Sequence, residues 1–238
     1  QDDGPSVQLV DDVEGAKTTL LLEPQLDAEG NPLTDFEGNP LYQSVGSTIF
    51  AVDETVDEGT DRANSALLPD PEEAQSPDGR RSDTANLSDL FKADDAGADI
   101  IGATTRYSFS LSQEGATSGF KALVEDSESE TGFSIVDIKL YTDSDGNVYG
   151  ALDNQQGSAQ YFTLTVDPET GVVKFTQNLG DETTGPLSIY HDTAGTYDEI
   201  ASLSVEDGES LGLVKTTTDG DQDVAFAELD LSQGFITI

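Results

Sequence analysis

The fold is decided by a segment near the end of the printed sequence, which runs Thr216-Thr-Thr-Asp-Gly-Asp-Gln-Asp-Val-Ala-Phe-Ala-Glu-Leu-Asp-Leu231. The first half of this segment is acidic, and the second half has the apolar content of a β-strand. We expect the apolar positions of that strand to be Val224, Phe226, Leu229 and Leu231. The segment therefore predicts a strand that is entered through an acidic turn.

The acidic half places Asp219, Asp221 and Asp223 at every second position, with Gly220 among them. On an extended chain these carboxylates project from one side, and a turn at the glycine would make them converge. Carboxylate oxygens at this density suit Ca²⁺, which takes about six to eight oxygen ligands. The alternative is a solvated acidic turn, but the net charge of the chain favours calcium.

The charge of the chain limits its partners. The sequence has 238 residues, with 48 acidic residues against 10 basic ones, and its net charge is −38. Such a charge repels the phosphates of nucleic acid and of anionic membranes, and it destabilises the folded state unless cations bind. Cysteine is absent, which excludes disulfides, thiolate catalysis and zinc–thiolate sites.

Two further features concern the place of the chain in a larger protein. Methionine is absent, so we expect the chain to be a segment of something longer. No apolar run has the length of a transmembrane helix, so we expect no membrane insertion.

From residue 100 onward, strand-like runs alternate with turn signals at a spacing of about 8–12 residues. The runs cover residues 107–111, 133–141, 161–166, 172–177, 200–205 and 211–215. Asp145-Gly146 predicts a hairpin turn, and Asp167-Pro-Glu-Thr-Gly171 predicts another turn. The pattern predicts an all-β fold, an Ig-like antiparallel β-sandwich with one long loop and little helix.

The chain divides into two unequal regions. We expect residues 1–46 to form an N-terminal linker and accessory strands that pack on the main domain, with strand-like runs at 7–13 and 17–23. Residues 47–238 then form the sandwich. A proline-containing, acidic excursion at about 61–99 predicts a long loop with one short helix near 87–92, capped by Asn86 or Ser88.

Catalytic signals are weak, and we expect that the protein is not an enzyme. The single histidine, His191, precedes Asp192, but no Gly-x-Ser-x-Gly nucleophile motif accompanies the pair. Acidic residues are too abundant for any pair of them to indicate a glycosidase. Four tyrosines that we expect to be exposed could line a shallow ligand site, namely Tyr42, Tyr141, Tyr149 and Tyr190.

An ordered set of motifs resembles the β-sandwich domains of giant bacterial RTX adhesins, which are exported by type I secretion. The resemblance is best over residues 105–231. It is carried by Val52-Asp-Glu-Thr55, Tyr107-Ser-Phe-Ser-Leu111, Phe162-Thr-Leu-Thr-Val-Asp-Pro-Glu-Thr-Gly171 and Thr218-Asp-Gly-Asp-Gln-Asp223. Residues 14–46 and 61–99 exceed what a plain repeat of that family needs, which suggests a specialised copy near the ligand-binding end.

The resemblance implies a calcium-stabilised scaffold domain of a secreted, cell-surface adhesin that serves adhesion and biofilm formation. Its partners would be neighbouring domains of the same adhesin chain. It also implies that Asp53 or Glu54 joins Asp219, Asp221 and Asp223 as a calcium ligand. The alternative function is a ligand-binding module of the same adhesin, for a glycan or a peptide.

Overall fold

The computed structural model describes residues 4–20, 22–24, 42–44, 50–51, 80–93, 95–97, 100–130, 132–155, 157–178, 180–181, 185–187, 189, 202–206 and 208–237. Within these residues, one α-helix, α1, spans Val13–Leu20, and one 3-10 helix spans Leu87–Leu90. The strands are β1 Leu22–Pro24, β2 Tyr42–Ser44, β3 Phe50–Ala51, β4 Arg80–Asn86, β5 Thr104–Leu111, β6 Ala116–Glu125, β7 Phe133–Thr142, β8 Val148–Ala151, β9 Gln160–Val166, β10 Val172–Asn178, β11 Gly180–Asp181, β12 Gly185–Pro186, β13 Ser202–Ser204, β14 Leu211–Thr218, β15 Val224–Asp230 and β16 Gln233–Thr237.

Three sheets carry the architecture of the described residues. The largest has six strands in the order β4-β10-β9-β8-β7-β6, and all its pairs are antiparallel. A second sheet has the order β15-β14-β5, and a third has the order β13-β16-β3 with one parallel pair, β16–β3. The prediction of an all-β, sandwich-like fold with little helix is confirmed.

One hydrophobic core joins the sheets. Inward positions of the six-stranded sheet contribute Phe120, Phe162 and Phe175, whose rings contact in series at centroid distances of 5.4 and 5.5 Å. The second sheet contributes Leu211 and Leu213 to the same core. Because side chains alternate across a strand, each sheet buries one face here and leaves the other to solvent.

The predicted turns are confirmed. In the β7–β8 hairpin, the Asp143 side chain accepts hydrogen bonds from the backbone N–H groups of Asp145 and Asn147, and Gly146 has a φ of 83°. Between β9 and β10, the Asp167 side chain accepts from the N–H groups of Glu169 and Thr170. Local turn chemistry therefore sets both hairpins.

The N-terminal region differs from the prediction. Of the predicted run 17–23, residues 17–20 belong to α1, and Leu22 and Glu23 lie in a strand, β1. The Asp12 side chain caps the first turn of the helix by accepting from the Gly15 N–H at 2.9 Å. The segment before the helix makes isolated bridges at Ser6 and Leu9 and packs Val7 against the core. Residues 25–41, between β1 and β2, lie outside the described part of the chain.

The predicted excursion at 61–99 is partly a sheet. Residues 80–86 form β4, which pairs with β10 along its whole length, so this part of the loop prediction is wrong. The short helix is confirmed at Leu87–Leu90, as a 3-10 helix whose N-cap is Asn86. Residues 61–79 lie outside the described part. Among the described residues, no helix has the length and apolar character needed to cross a membrane.

Candidate metal centre

The three predicted aspartates lie in the turn that connects β14 to β15. The backbone N–H of Asp219 donates to the carbonyl of Asp223 at 3.0 Å, which closes the turn directly after the last ladder pair, Thr218 with Val224. The turn thus continues the ladder of the two strands, and its carboxylates lie at one end of the sheet β15-β14-β5.

Asp219 is the buried member of the group, with only 1% of its surface exposed. Its Oδ1 accepts hydrogen bonds from the backbone N–H groups of Asp223 at 2.8 Å and Asp221 at 3.2 Å. Its Oδ2 is also buried but accepts no hydrogen bond. A buried carboxylate oxygen that lacks a donor is costly, and a bound cation would satisfy it.

The pKa of Asp219 is lowered from its ordinary value. The largest cause is the neighbouring Asp221 side chain, and backbone N–H donors of Asp223, Asp221 and Gln222 add to it against the effect of desolvation. Carboxylates this close repel each other when both are ionised, and a bound cation would offset that repulsion.

The carboxylates of Asp219, Asp221 and Asp223 each offer an oxygen within 4.8 Å of the others. Among the described residues, no other group of three or more His, Cys, Asp or Glu side chains is gathered in this way. Asp221 and Asp223 are exposed, so water could complete the coordination shell. The donor set fits a hard cation such as Ca²⁺, because all of its ligands are oxygens.

The turn is made differently from the prediction. Gln222, and not Gly220, adopts the left-handed conformation, with a φ of 82°. Its N–H lies 3.4 Å from the carbonyl of Asp219, so the chain reverses after Asp221. A non-glycine residue in this region is uncommon and costs about 1–3 kcal/mol, which the closed turn must offset.

Two other segments border the acidic turn. A Cβ on Gly4 would lie 3.6 Å from the Asp223 Oδ2, which places the N-terminal segment against this carboxylate. A Cβ on Gly102 would lie 3.9 Å from the Gly220 Cα, which places the loop before β5 against the turn as well. The candidate site therefore lies where three parts of the chain meet.

Several predicted site residues lie outside the described part of the chain. Asp53 and Glu54 come shortly after β3 in the sequence, but they lie outside the described residues. Their predicted role as calcium ligands remains a prediction. His191 and Asp192 also lie outside the described residues.

The prediction that four tyrosines are exposed and could line a shallow ligand site is wrong for Tyr141. Tyr141 is buried, although its ring lies 5.7 Å from that of Tyr149. The Tyr149 hydroxyl donates to the Asn154 side chain at 2.9 Å. Burial is the first cause that raises the pKa of both phenols. Tyr190 and the side chain of Tyr42 lie outside the described part of the chain, so the shallow ligand site lined by four tyrosines stays a prediction.

The strand after the acidic turn also differs from the prediction. Leu229 and Leu231 are buried as expected, but Val224 and Phe226 are 60% and 68% exposed. The small side chains of Ala225 and Ala227 take the inward positions instead. The signal was available in the sequence, because Leu229 lies three positions after Phe226, and an odd offset places two side chains on opposite faces of a strand.

Comparison with known proteins identifies a family without a known activity. The family model described as a domain of unknown function, DUF5801, matches residues 50–232, more than three quarters of the 238 residues. The chain therefore belongs to the DUF5801 family. No curated protein and no solved structure matches it.

Proposed function

We propose that this chain is a calcium-stabilised structural domain of a secreted bacterial cell-surface adhesin. In that role it positions or extends neighbouring ligand-binding domains and does no chemistry. The observation that carries the proposal is the buried, donor-free Oδ2 of Asp219 within a group of three aspartates.

Calcium is the cation proposed because every candidate ligand is a carboxylate oxygen and two of the three aspartates are open to water. Extracellular calcium modules bind with dissociation constants of about 0.1–1 mM, which suits a site with few buried ligands. Calcium in the cytosol is too dilute to fill such a site. Folding would then be favoured only after export.

The physical role of the ion is to hold one end of the sandwich together. Neutralising Asp219, Asp221 and Asp223 would remove their mutual repulsion and stabilise the start of β15. The N-terminal segment at Gly4 borders the same carboxylates, so the ion would also stiffen the approach to the domain. In a chain of net charge −38 without cysteine, bound cations can supply the stability that disulfides supply elsewhere.

The adhesin context comes from the sequence resemblance described above. The motif Phe162-Thr-Leu-Thr-Val166 forms most of β9, and Asp167-Pro-Glu-Thr-Gly171 forms the turn that follows it. The acidic motif that follows Thr218 forms the turn after β14. Apart from Val52-Asp-Glu-Thr55, which lies outside the described residues, the motifs on which the resemblance rests coincide with strands and turns of the described fold, and this supports the proposal.

Calorimetric titration of calcium into three proteins tests this proposal. The Asp221→Ala variant should bind calcium more weakly than the wild-type protein. The Asp145→Ala variant removes the same charge from the exposed β7–β8 turn, where the Asp143 side chain already accounts for the conformation. It should bind calcium like the wild-type protein, and equal affinities of all three proteins would show that the acidic turn is only solvated.

A further inference from the structure

The outer edge of β15 presents backbone groups that no other described strand pairs with. The hydrogen bonds from Asp219 N–H to the Asp223 carbonyl and from Leu231 N–H to the Leu211 carbonyl fix which ladder pairs are bonded. Hydrogen-bonded and non-hydrogen-bonded pairs alternate along an antiparallel ladder. In the register of β14 and β15, the N–H and C=O groups of Ala225, Ala227 and Leu229 therefore point toward β14. The same groups of the alternate residues, from Val224 to Asp230, point away from β14.

Among the described residues, no strand pairs with this outer edge, because β15 ends its sheet. An edge of this kind is a template for another strand, and natural proteins commonly block it with charges, prolines or bulges. The β14–β15 ladder has an unbroken register over its whole length, and β15 contains no proline. The edge is therefore regular enough to accept a partner strand.

The residues whose backbone faces the edge also carry the exposed side chains. Val224 and Phe226 lie on the outer face of the sheet beside Thr218 and Thr216 of β14. An exposed phenylalanine next to an exposed valine gives an apolar contact for alternate side chains of an added strand. Backbone pairing would supply affinity, and the two apolar side chains would select the partner.

Carboxylates flank this apolar pair at both ends. Asp221 and Asp223 precede it in the turn, and Glu228 and Asp230 follow it, all with exposed side chains. A second copy of the chain would bring another net charge of −38 to the edge, which long-range repulsion opposes. A strand with basic residues at its ends and apolar residues at its centre is complementary to this pattern.

We propose that the outer edge of β15 binds an extended peptide segment of a partner protein by strand addition. The segment carries alternating apolar residues between lysine or arginine residues. Its backbone pairs with Val224, Phe226, Glu228 and Asp230, its apolar side chains contact Val224 and Phe226, and its basic ends face the two carboxylate groups. The backbone pairing and the apolar contacts use no candidate calcium ligand, but one basic end faces Asp221 and Asp223, so the peptide titrations are made in chelator.

The probe is a fluorescent synthetic peptide, Lys-Thr-Val-Thr-Val-Thr-Lys, which matches the seven residues of β15 in length. Its sequence is the same in both directions, so parallel and antiparallel docking place the same side chains. A second peptide replaces both lysines with glutamates. Fluorescence anisotropy should show saturable binding of the lysine peptide alone, and the affinity should fall as salt is added.

Matched variants assign the binding to the edge. Phe226→Ser should weaken the lysine peptide about tenfold, since it removes a large apolar contact. Ile135→Ser is the control, because Ile135 is 48% exposed on β7 of the other sheet and should leave binding unchanged. Glu228→Lys should weaken the lysine peptide about threefold and improve binding of the glutamate peptide.

Amide hydrogen exchange separates strand addition from charge attraction alone. The amides of Ala225 and Ala227 already bond to β14 and are expected to be protected without peptide. Binding should newly protect the amides of Val224, Phe226 and Glu228. The proposal is wrong if this alternation is absent or if both serine variants behave alike. It is also wrong if no saturable binding occurs up to about 1 mM peptide, or if the chain sediments as a dimer that Phe226→Ser dissociates.

Discussion

The backbone N–H of Asp223 donates to Oδ1 of Asp219 across 2.8 Å, so the last residue of the acidic turn fixes the carboxylate of the first. This bond holds the other oxygen, Oδ2, in a buried position where it accepts no hydrogen bond. The carboxylate is therefore oriented before any ion arrives. Such preorganisation lowers the entropy lost on binding a cation.

Calcium should raise the thermal stability of the protein. A ligand that binds only the folded state at a hundredfold excess over its dissociation constant adds about 2.7 kcal/mol. For a protein of this size each kcal/mol shifts the melting temperature by about 2–4 °C, so a rise of about 5–10 °C is expected. Differential scanning calorimetry with calcium or with chelator measures it. Magnesium at the same concentration should raise the melting temperature less, since this ion dehydrates reluctantly. Identical melting temperatures in calcium and in chelator would contradict the prediction.

The Asp219→Asn substitution should abolish most of that calcium response. Asparagine keeps one side-chain oxygen for the N–H groups of Asp221 and Asp223, but its amide nitrogen cannot bind a cation. In chelator the variant should melt somewhat below the wild-type protein, because a neutral amide oxygen accepts weaker hydrogen bonds from those N–H groups than a carboxylate does. Parallel melts of both proteins in chelator and in calcium give the comparison.

Asp167→Asn is the matched control for that substitution. Asp167 accepts from the N–H groups of Glu169 at 2.8 Å and Thr170 at 2.9 Å, so its carboxylate, like that of Asp219, is held by backbone N–H groups of its own turn. The control variant loses one charge and keeps its turn, so its calcium response should equal that of the wild-type protein. An equal loss of response in both variants would show that calcium acts through net charge and not through the acidic turn.

The turns were the most predictable part of the fold, because their chemistry is local. Asp145-Gly146 and the five residues from Asp167 to Gly171 form turns where the sequence places them. Strand β6 was missed because its inward positions include Ala116, Ser118 and Ala122, which give no apolar alternation. Its burial comes from the sheets around it, and a short window of sequence does not contain that information.

The candidate site was predictable in its composition but not in its geometry. The spacing of Asp219, Asp221 and Asp223 indicates a cation site whether the chain turns at Gly220 or at Gln222. The burial of Asp219 depends on the packing of its surroundings, and no local pattern encodes approaches such as that of Gly102 to Gly220. The exposure of Phe226 follows from strand register, which the closed turn fixes.

Acid should destabilise the protein through its turn aspartates. The pKa of Asp167 is lowered from its ordinary value, first by the N–H of Glu169 and then by that of Thr170. A carboxyl whose pKa is lower in the folded state stabilises the protein above its unfolded pKa, and this contribution is lost as the pH falls through the folded pKa. The stabilisation should therefore be complete above about pH 4 and decline below it.

Urea unfolding in chelator at a series of pH values measures that loss. The difference in unfolding free energy between the wild-type protein and Asp167→Asn should be constant above about pH 4 and shrink below it. Glu169→Gln removes the same charge beside the turn without altering the hydrogen bonds of the Asp167 side chain, so the effect of net charge cancels between the two variants. If the two variants follow the same pH profile, the turn of Asp167 is not the source.

Gly119→Ala should be strongly destabilising, because two constraints act on this residue of β6. Its φ is 80°, which side chains disfavour, and a Cβ there would lie 2.8 Å from the backbone oxygen and 2.9 Å from the backbone nitrogen of Ser204. The β6–β7 register shifts between Thr117 and Lys121, so Gly119 lies where the strand bends toward β13. We expect a loss of roughly 2–4 kcal/mol, about 1 kcal/mol from the backbone conformation and the rest from the clash.

Gly146→Ala separates the cost of the backbone conformation from the cost of the steric clash. Gly146 has nearly the same φ, 83°, but nothing lies within 4 Å of a Cβ built on it, so only the conformational cost of about 1 kcal/mol remains. Urea unfolding of both variants in calcium gives the two free energies. A larger loss for Gly119→Ala would show that the close approach of β6 to β13 is rigid and belongs to the core that joins the sheets. Equal losses for the two variants would mean that β13 can move aside, and that the third sheet is only loosely attached to the sandwich.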